Sequence, residues 1–188
     1  MNVPSQRIEI RWHGRGGQGA VTAAVVTAQA AIYEGKYAQA YPEFGAERRG
    51  APVNAYTRIS TQPIYTRSPI LHPDVVVVLD STLPWDLVLR GLKENGIVVV
   101  NTKKSPGEIR EIIKREDVKI AVVDANKIAL EKLGVPIVNT AMIGALVRAV
   151  PLVKLESVIK AVKETFPGRL GEANAEAIKS SYEVTQVA

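Results

Sequence analysis

The chain has no cysteine and only two histidines, His13 and His72, among its 188 residues. Without a thiol, it can form no disulfide and cannot hold an iron–sulfur cluster through cysteine. Two histidines also make a histidine-rich metal site improbable. Neither histidine neighbours a serine or cysteine nucleophile in the sequence. We therefore assign neither a metal site nor a catalytic residue to this chain.

Long apolar runs are also missing. The amino terminus lacks the apolar core of a signal peptide, and no run approaches the roughly 20 residues that span a bilayer. We therefore expect a cytoplasmic protein without a membrane anchor. The net charge of +5 suits an anionic ligand or an acidic partner. Because there is no dense Lys/Arg block and no aromatic–basic motif, we do not expect nucleic-acid binding.

What is present is ordinary globular composition, with 46% hydrophobic and 23% charged residues. We expect a single domain over residues 1–188. Three runs rich in β-branched residues, Val75–Leu79, Ile97–Val100 and Ile120–Val123, are typical of strands buried on both faces of a parallel sheet. Because strands and helices alternate, the pattern predicts an α/β fold with a mainly parallel open sheet and helices on both faces. The fold is Rossmann-like, with a helical C-terminal part.

The remaining predicted elements follow from periodicity and from glycine and proline positions. The predicted strands are Ile8–Trp12, Tyr37–Tyr41 and Val53–Ser60. The predicted helices are Gln18–Glu34, Leu83–Leu92, Pro106–Arg115, Asn126–Leu133, Asn139–Val150, Leu155–Thr165 and Glu172–Val184. Asp80 and Asp124 follow predicted strands, and we interpret both as structural, with Ser81 or Thr82 capping the helix that begins at Leu83.

A glycine-rich turn lies between the first strand and the first helix. It contains Gly14, Arg15, Gly16, Gly17, Gln18 and Gly19. Backbone N–H groups at a helix N-terminus favour negative charge, and Arg15 adds a positive one. The turn therefore suits an anion or an acidic partner, although glycines could also serve only tight strand–helix packing.

Gly14, Gly16 and Gly19 match the G-x-G-x-x-G spacing of dinucleotide-binding loops. Two features count against a dinucleotide. Arg15 would crowd a pyrophosphate, and the acidic residue that binds ribose is missing at the end of the second strand, because Glu43 comes only after Tyr41 and Pro42.

A second candidate segment is the loop Glu43–Pro52, framed by Pro42 and Pro52; its candidate interface residues are Glu43, Phe44, Glu47, Arg48 and Arg49. It contains the apolar Phe44 and the adjacent Arg48 and Arg49, whose guanidinium groups suit bidentate capture of a carboxylate or phosphate. A solvated charge run, with Glu47 pairing Arg48, is the simpler alternative. We expect this loop near the glycine turn, because both leave the carboxyl ends of strands that we take as neighbours. His13, beside the turn, we interpret as a packed or hydrogen-bonded histidine.

Three segments in this order carry a family resemblance: Ile10–Ala24 (IRWHGRGGQGAVTAA), Ala40–Ser60 (AYPEFGAERRGAPVNAYTRIS) and Pro73–Asp80 (PDVVVVLD). Gly96–Ser105, Asn139–Leu146 and Gly171–Glu183 agree as well. The sequence resembles the gamma subunit of the 2-oxoacid:ferredoxin oxidoreductases, the pyruvate synthase family, and the resemblance extends essentially from end to end.

The resemblance implies an enzyme that oxidatively decarboxylates a 2-oxoacid to acyl-CoA and passes electrons to ferredoxin. Thiamine diphosphate, magnesium, iron–sulfur clusters and coenzyme A would lie on or with the other subunits, leaving this chain without a cofactor and inactive alone. Its partners would be the alpha, beta and delta subunits, with ferredoxin reached through the complex.

Pyruvate is the default substrate, with branched-chain and indolyl 2-oxoacids still open. The glycine turn and the Glu43–Pro52 loop would then dock this chain on the alpha and beta subunits, with a contribution to coenzyme A binding as the competing use. A stand-alone nucleotide-binding or regulatory module is the alternative from a different functional class.

Overall fold

A computed structural model describes residues 6–43 and 49–188. One sheet has seven strands: β1 (Arg7–Arg15), β2 (Tyr37–Pro42), β3 (Pro52–Ser60), β4 (Val75–Val78), β5 (Ile97–Asn101), β6 (Lys119–Val123) and β7 (Gln186–Val187). Seven helices accompany it: α1 (Ala20–Tyr33), α2 (Trp85–Val88), α3 (Pro106–Ile113), α4 (Ala125–Leu133), α5 (Asn139–Ala149), α6 (Leu155–Thr165) and α7 (Arg169–Val184).

The strand order across the sheet is β2-β3-β1-β4-β5-β6-β7. Strands β1, β4, β5 and β6 are parallel neighbours. Strand β3 is antiparallel to both β1 and β2, and β7 is antiparallel to β6. The predicted α/β class with a parallel central sheet and a helical C-terminal part is confirmed. The assumption that the first two strands are neighbours is wrong, because β3 inserts between them.

The sheet separates two apolar layers of unequal size. Ile10, Trp12, Val75 and Val77 point into the larger layer, together with buried residues of α1, α4, α5, α6 and α7. The other face of β4, β5 and β6 packs on α2 and α3. Helices therefore cover both faces, as predicted. Ala23 and Ala24 of α1 are fully buried, because small side chains let this helix approach the sheet closely.

Local sequence signals set several helix ends. The side chain of Ser105 accepts from the Glu108 N–H and the Glu108 carboxylate accepts from the Ser105 N–H, which forms a capping box at the start of α3. Asp124 caps α4 by accepting a hydrogen bond from the Lys127 N–H at 3.0 Å. The structural role predicted for Asp124 is confirmed.

The predicted helix Leu83–Leu92 is reduced to the single turn Trp85–Val88. The carbonyls of Val88 and Arg90 accept hydrogen bonds from the Arg11 guanidinium, and Gly91 adopts a φ of 73°, so the helix does not continue. Neither Ser81 nor Thr82 caps this turn, because its N-cap is Pro84. Strand β7 was not predicted, since two exposed residues carry no periodic pattern.

The second face of the β1–β3 pair is polar. Arg11 pairs in register with Tyr56, and Glu9 with Arg58. A segment without helices or strands, residues 61–74, covers these side chains. Arg58 is almost fully buried and donates to the Glu9 carboxylate at 2.7 Å and to the Ser68 carbonyl at 2.6 Å. Buried polar side chains thus replace an apolar core here and hold an irregular segment on the sheet.

Candidate functional site

Three segments meet at the edge of the sheet where β1 and β4 end and β3 begins. The Gly16 N–H donates to the Ala51 carbonyl at 2.8 Å, and the Gly50 N–H donates to the Gly16 carbonyl at 3.2 Å. We call the surface formed by residues 14–19, 49–51 and 80–82 the glycine-turn edge. The predicted proximity of the glycine turn and the Glu43–Pro52 loop is confirmed for the last part of that loop, because Arg49 forms a β-bridge with Gly16, and Gly50 and Ala51 are hydrogen bonded to Gly16. The physical reason differs from the expected one, since the antiparallel strand β3 leads from the loop back along β1.

Arg15 connects these segments. Its Nε atom lies 2.9 Å from Asp80 Oδ2 in a salt bridge. Its two terminal nitrogens donate to the Gly50 carbonyl at 3.3 Å and to Thr82 Oγ1 at 3.2 Å. One half-buried guanidinium group therefore fixes the relative positions of three segments: the glycine turn, the residues before β3 and the turn after β4.

Asp80 is the carboxylate of this arrangement. Besides Arg15 it accepts hydrogen bonds from the Thr82 N–H at 2.9 Å and the Thr82 hydroxyl at 2.6 Å. Burial raises the pKa of Asp80, but the hydrogen bonds from Thr82 and Arg15 outweigh burial and lower it below its ordinary value. Asp80 is thus ionised at neutral pH and offsets the positive charge that we had expected Arg15 to present.

The glycines of the turn differ in their surroundings. Gly19, the N-cap of α1, has a φ of 81°, and a Cβ built on it would lie 2.4 Å from Asn139 Nδ2. Gly17 also has a positive φ, but nothing lies within 4 Å of its added Cβ. Gln18 closes the turn, since its Oε1 accepts from the Arg15 N–H at 2.7 Å. Tight packing therefore accounts for Gly19, whereas Gly17 is exposed on the glycine-turn edge.

Only part of the predicted interface loop can be placed. Phe44, Glu47 and Arg48 lie outside the described residues. Arg49 is exposed next to Gly16. Glu43, also exposed, accepts a hydrogen bond from the Asn54 side chain and donates its N–H to the Asn54 carbonyl at 2.9 Å.

His13 is buried and hydrogen bonded, as predicted. Its Nε2 accepts from Arg11 Nε at 2.9 Å. Burial and the neighbouring Arg11 charge lower its pKa to about 3, although a hydrogen bond with Asn54 opposes them. His13 is therefore neutral near pH 7. Within the described ranges, no three His, Asp or Glu residues are grouped as a metal site would require.

The topology also bears on the dinucleotide alternative. In a dinucleotide-binding fold, the ribose-binding acid lies at the end of the strand that neighbours the glycine loop. Here β3 separates β2 from β1, and the first acid after β2, Glu43, is bonded to Asn54. The arrangement at the glycine turn therefore does not reproduce a dinucleotide site.

Sequence reasoning missed the ionic role of Asp80 and the contribution of Thr82. We had assigned Asp80 a structural part, and its bonds to Thr82 fit that interpretation, but the salt bridge to Arg15 was not foreseen. A signal was present, since Asp80 follows a buried parallel strand and the ends of neighbouring parallel strands meet at one edge.

No helix among the described residues has the length and apolar character needed to cross a membrane.

The model of the pyruvate ferredoxin/flavodoxin oxidoreductase family matches residues 9–184. The common gamma subunit of the pyruvate/ketoisovalerate oxidoreductases of Pyrococcus abyssi is 59% identical over 181 residues, covering 96% of this chain and 98% of its own length. The pyruvate synthase subunit PorC of Methanothermobacter marburgensis is 54% identical over 177 residues, covering 94% of this chain and 96% of its own length.

The crystal structure of the pyruvate oxidoreductase subunit PORC from Thermotoga maritima superposes with a TM-score of 0.86 at 43% identity, and it covers 97% of this chain and 99% of its own. The chain belongs to the pyruvate ferredoxin/flavodoxin oxidoreductase family. The predicted family is confirmed, and with it the role of a subunit of a 2-oxoacid:ferredoxin oxidoreductase.

Proposed function

We propose that this chain is the gamma subunit of a cytoplasmic pyruvate:ferredoxin oxidoreductase, and that it docks on the alpha and beta subunits through the glycine-turn edge. Pyruvate is common to the names of the two relatives described above, while the shared gamma subunit of Pyrococcus abyssi also serves ketoisovalerate. A second, branched-chain 2-oxoacid enzyme built on the same subunit is therefore part of the proposal.

The observation that carries the docking proposal is the Arg15 clamp. Arg15 ties residues from three segments together by contacts to Asp80, Gly50 and Thr82, which makes a firm surface out of loops that would otherwise move independently. A rigid patch loses less conformational entropy when it binds a partner. Arg49 and Glu43 lie exposed beside it, and arginine is enriched among the residues that dominate interface energies.

Coenzyme A contact is the competing use of the same edge. The ion pair with Asp80 argues against Arg15 as a phosphate ligand, because its charge is already offset. A phosphate contact would fall to the exposed Arg49 instead. We therefore rank docking above coenzyme A binding.

We propose that the cofactors and the electron path reside on or with the other subunits. Oxidative decarboxylation of a 2-oxoacid needs a cofactor that stabilises a carbanion and a relay for single electrons. This chain has no cysteine to bind a cluster. Thiamine diphosphate, magnesium, the iron–sulfur clusters and coenzyme A would therefore be supplied by the alpha, beta and delta subunits, and reduced ferredoxin would leave through them.

Reconstitution tests this proposal. The other subunits are mixed with and without this chain, pyruvate, coenzyme A and a viologen dye are added, and dye reduction is followed. We expect activity only from the complete mixture. Full activity without this chain, or activity from this chain alone, would contradict the proposal.

A pair of variants separates docking from folding. Replacing Arg15 and Arg49 together, by Gln and Ala, should weaken assembly by a few kcal/mol, as for buried charged interface anchors. The matched control is Arg115→Gln, because Arg115 forms a similar salt bridge with Asp117 at 2.6 Å, before β6 and thus at the opposite edge of the sheet. Equal losses of assembly in both variants, measured by sedimentation of the mixed subunits, would show that the glycine-turn edge is not the docking surface.

Replacement of Arg48 and Arg49 by Ala extends the test to the part of the loop outside the described residues.

Calorimetry with NAD and flavin tests the alternative of a stand-alone nucleotide-binding module. We expect no binding in the low micromolar range, because the acid that should accompany the turn is missing there. Tight binding of either cofactor would favour the alternative.

A further inference from the structure

A cavity of about 350 Å³ opens on the polar face of the β1–β3 pair, behind the glycine turn. Arg11, His13 and Tyr56 line it from the sheet, and Ile70, Leu83 and Val88 line it from the segments that cover this face. Its size lies near the lower end of the range for small-molecule sites. The docking role proposed above makes no use of this cavity.

Arg11 is a buried cation, and the groups to which it donates hydrogen bonds are uncharged. Only 7% of its surface is exposed. It donates to the uncharged His13 ring at 2.9 Å and to the carbonyls of Ile70, Val88 and Arg90 at 3.3, 3.0 and 2.6 Å. None of the salt bridges formed among the described residues includes Arg11.

Arg58, the other buried arginine on this face, forms the kind of salt bridge that Arg11 does not form among the described residues. Arg58 has the Glu9 carboxylate at 2.7 Å, as buried charges generally require a partner. Arg11 donates hydrogen bonds only to uncharged groups. Burial lowers its pKa, although the Glu43 carboxylate, which lines the same cavity, raises it. Tyr56 cannot supply an anion, since burial and the nearby Glu43 raise its pKa to about 12. A ligand that brings one negative charge would complete the site.

The rest of the lining restricts the ligand further. The hydrogen bonds named above use four of the five guanidinium N–H groups of Arg11, so one remains for a ligand. A phosphate dianion needs several donors, and Glu43 at the rim would repel its two charges more strongly than the single charge of a carboxylate. Ile70, Leu83 and Val88 offer aliphatic walls, and Leu71 and Leu87 lie exposed at the opening.

We propose that this cavity binds a small aliphatic monocarboxylate, with its carboxylate at Arg11 and its hydrocarbon chain between Ile70, Leu83 and Val88. The site lies beside the glycine-turn edge, with which it shares Gly14, and it requires no other subunit. Such a ligand would form a salt bridge with Arg11 and bury its hydrocarbon chain in one step.

The test is a titration of the full-length purified chain with isovalerate and with its uncharged isostere, isovaleramide. Binding is followed by calorimetry and by shifts of the backbone amide signals of Ile70 and Val88. We expect isovalerate to bind at least about tenfold more tightly than the amide, the effect of one charge-assisted hydrogen bond in a desolvated site. Equal affinities, no binding of isovalerate, or shifts confined to other surfaces would overturn the proposal.

Two variants keep the test decisive. Arg11→Met removes the charge and should abolish the preference for isovalerate over the amide. Leu87→Trp keeps Arg11 but fills the opening, and should weaken both ligands; it serves also if Arg11→Met does not fold. Leu130→Ala, an exposed change outside the cavity, is the control and should bind as the unaltered chain does. Unchanged isovalerate binding in folded Arg11→Met or in Leu87→Trp would contradict the assignment.

Discussion

The two faces of strand β1 solve the same burial problem with different chemistry. On one face, Ile10 and Trp12 are fully buried against helices. On the other, Arg11 and His13 are buried to a similar degree, but an irregular segment covers them. Apolar packing needs only shape, whereas buried polar groups need partners in specific directions. The polar face is thus where the protein forms the cavity at Arg11 and holds loops in place.

Removing the largest side chain of the apolar face should have the largest effect. Trp12 is fully buried, and its indole N–H donates to Thr57 Oγ1 at 3.0 Å. We expect Trp12→Ala to lower the free energy of unfolding by about 4 kcal/mol, because it leaves a cavity that neighbours cannot fill. Urea denaturation measures this change. Tyr65→Ala is the control, since Tyr65 is 89% exposed, and a loss as large in the control would contradict the contrast in burial.

The polar face should respond nearly as strongly to the loss of one charge. Arg58→Met leaves Glu9 without its buried partner, and we expect a loss of about 3 kcal/mol. The same urea experiment applies, with Arg115→Met as a more exposed salt-bridge control that should cost less than about 1 kcal/mol. If Arg58→Met were as stable as the unaltered chain, the buried ion pair would not hold this face together.

Substitutions at the two turn glycines Gly17 and Gly19 should distinguish the cost of backbone strain from the cost of a steric clash. Gly19→Ala must accept both a positive φ and a clash with Asn139, so we expect a loss of about 2 kcal/mol or more. Gly17→Ala meets open space and suffers only the backbone strain, about 1 kcal/mol. Thermal unfolding of the two variants gives the comparison. Equal losses would mean that α1 does not rest against Asn139 as described.

The most gradual effect should be a pH slope from His13, because it is spread over several pH units. Its pKa is lowered from 6.5 to about 3 in the folded chain. Between these values the unfolded chain binds the extra proton, so stability is complete above about pH 6.5 and falls as the pH is lowered, by up to about 1.4 kcal/mol per pH unit.

Urea denaturation between about pH 4.5 and 6.5 measures this slope, above the range where most carboxylates titrate. His13→Gln should flatten it, whereas His72→Gln, at an exposed position, should not. A slope unchanged in His13→Gln would assign the pH dependence to other groups.

The sequence predicted the parts of the fold that depend on repeated local signals. The valine runs of β4 and β5, the alanine-rich α1 and the Asp124 cap were placed correctly within a few residues. The position of β3 between β1 and β2 could not be predicted, because strand order depends on long-range pairing. The shortening of the predicted helix Leu83–Leu92 to α2 was also missed. Arg11, which donates hydrogen bonds to the carbonyls of Val88 and Arg90, lies far away in the sequence.

The candidate site was predicted in outline. Its glycines could be inferred from the turn chemistry. Its proximity to Arg49 was predicted from a neighbour relation of the first two strands that the sheet does not have, since β3 lies between them. The pairing of Arg15 with Asp80 could not be inferred, because 65 positions separate them and each has a simpler local role. The burial of Arg11 among uncharged acceptors was likewise not predictable, since in the sequence Arg11 is one charged residue in an alternating strand.

Arg11 and Arg58 hold the covering segments through the carbonyls of Ser68, Ile70, Val88 and Arg90. Every amino acid offers the same carbonyl, so these contacts do not depend on which side chains the four positions carry. Substitutions there could change the shape and polarity of the cavity opening without releasing the chain from the sheet. The two arginines would thereby allow the residues at the opening to be exchanged while the covering segments keep their place on the sheet.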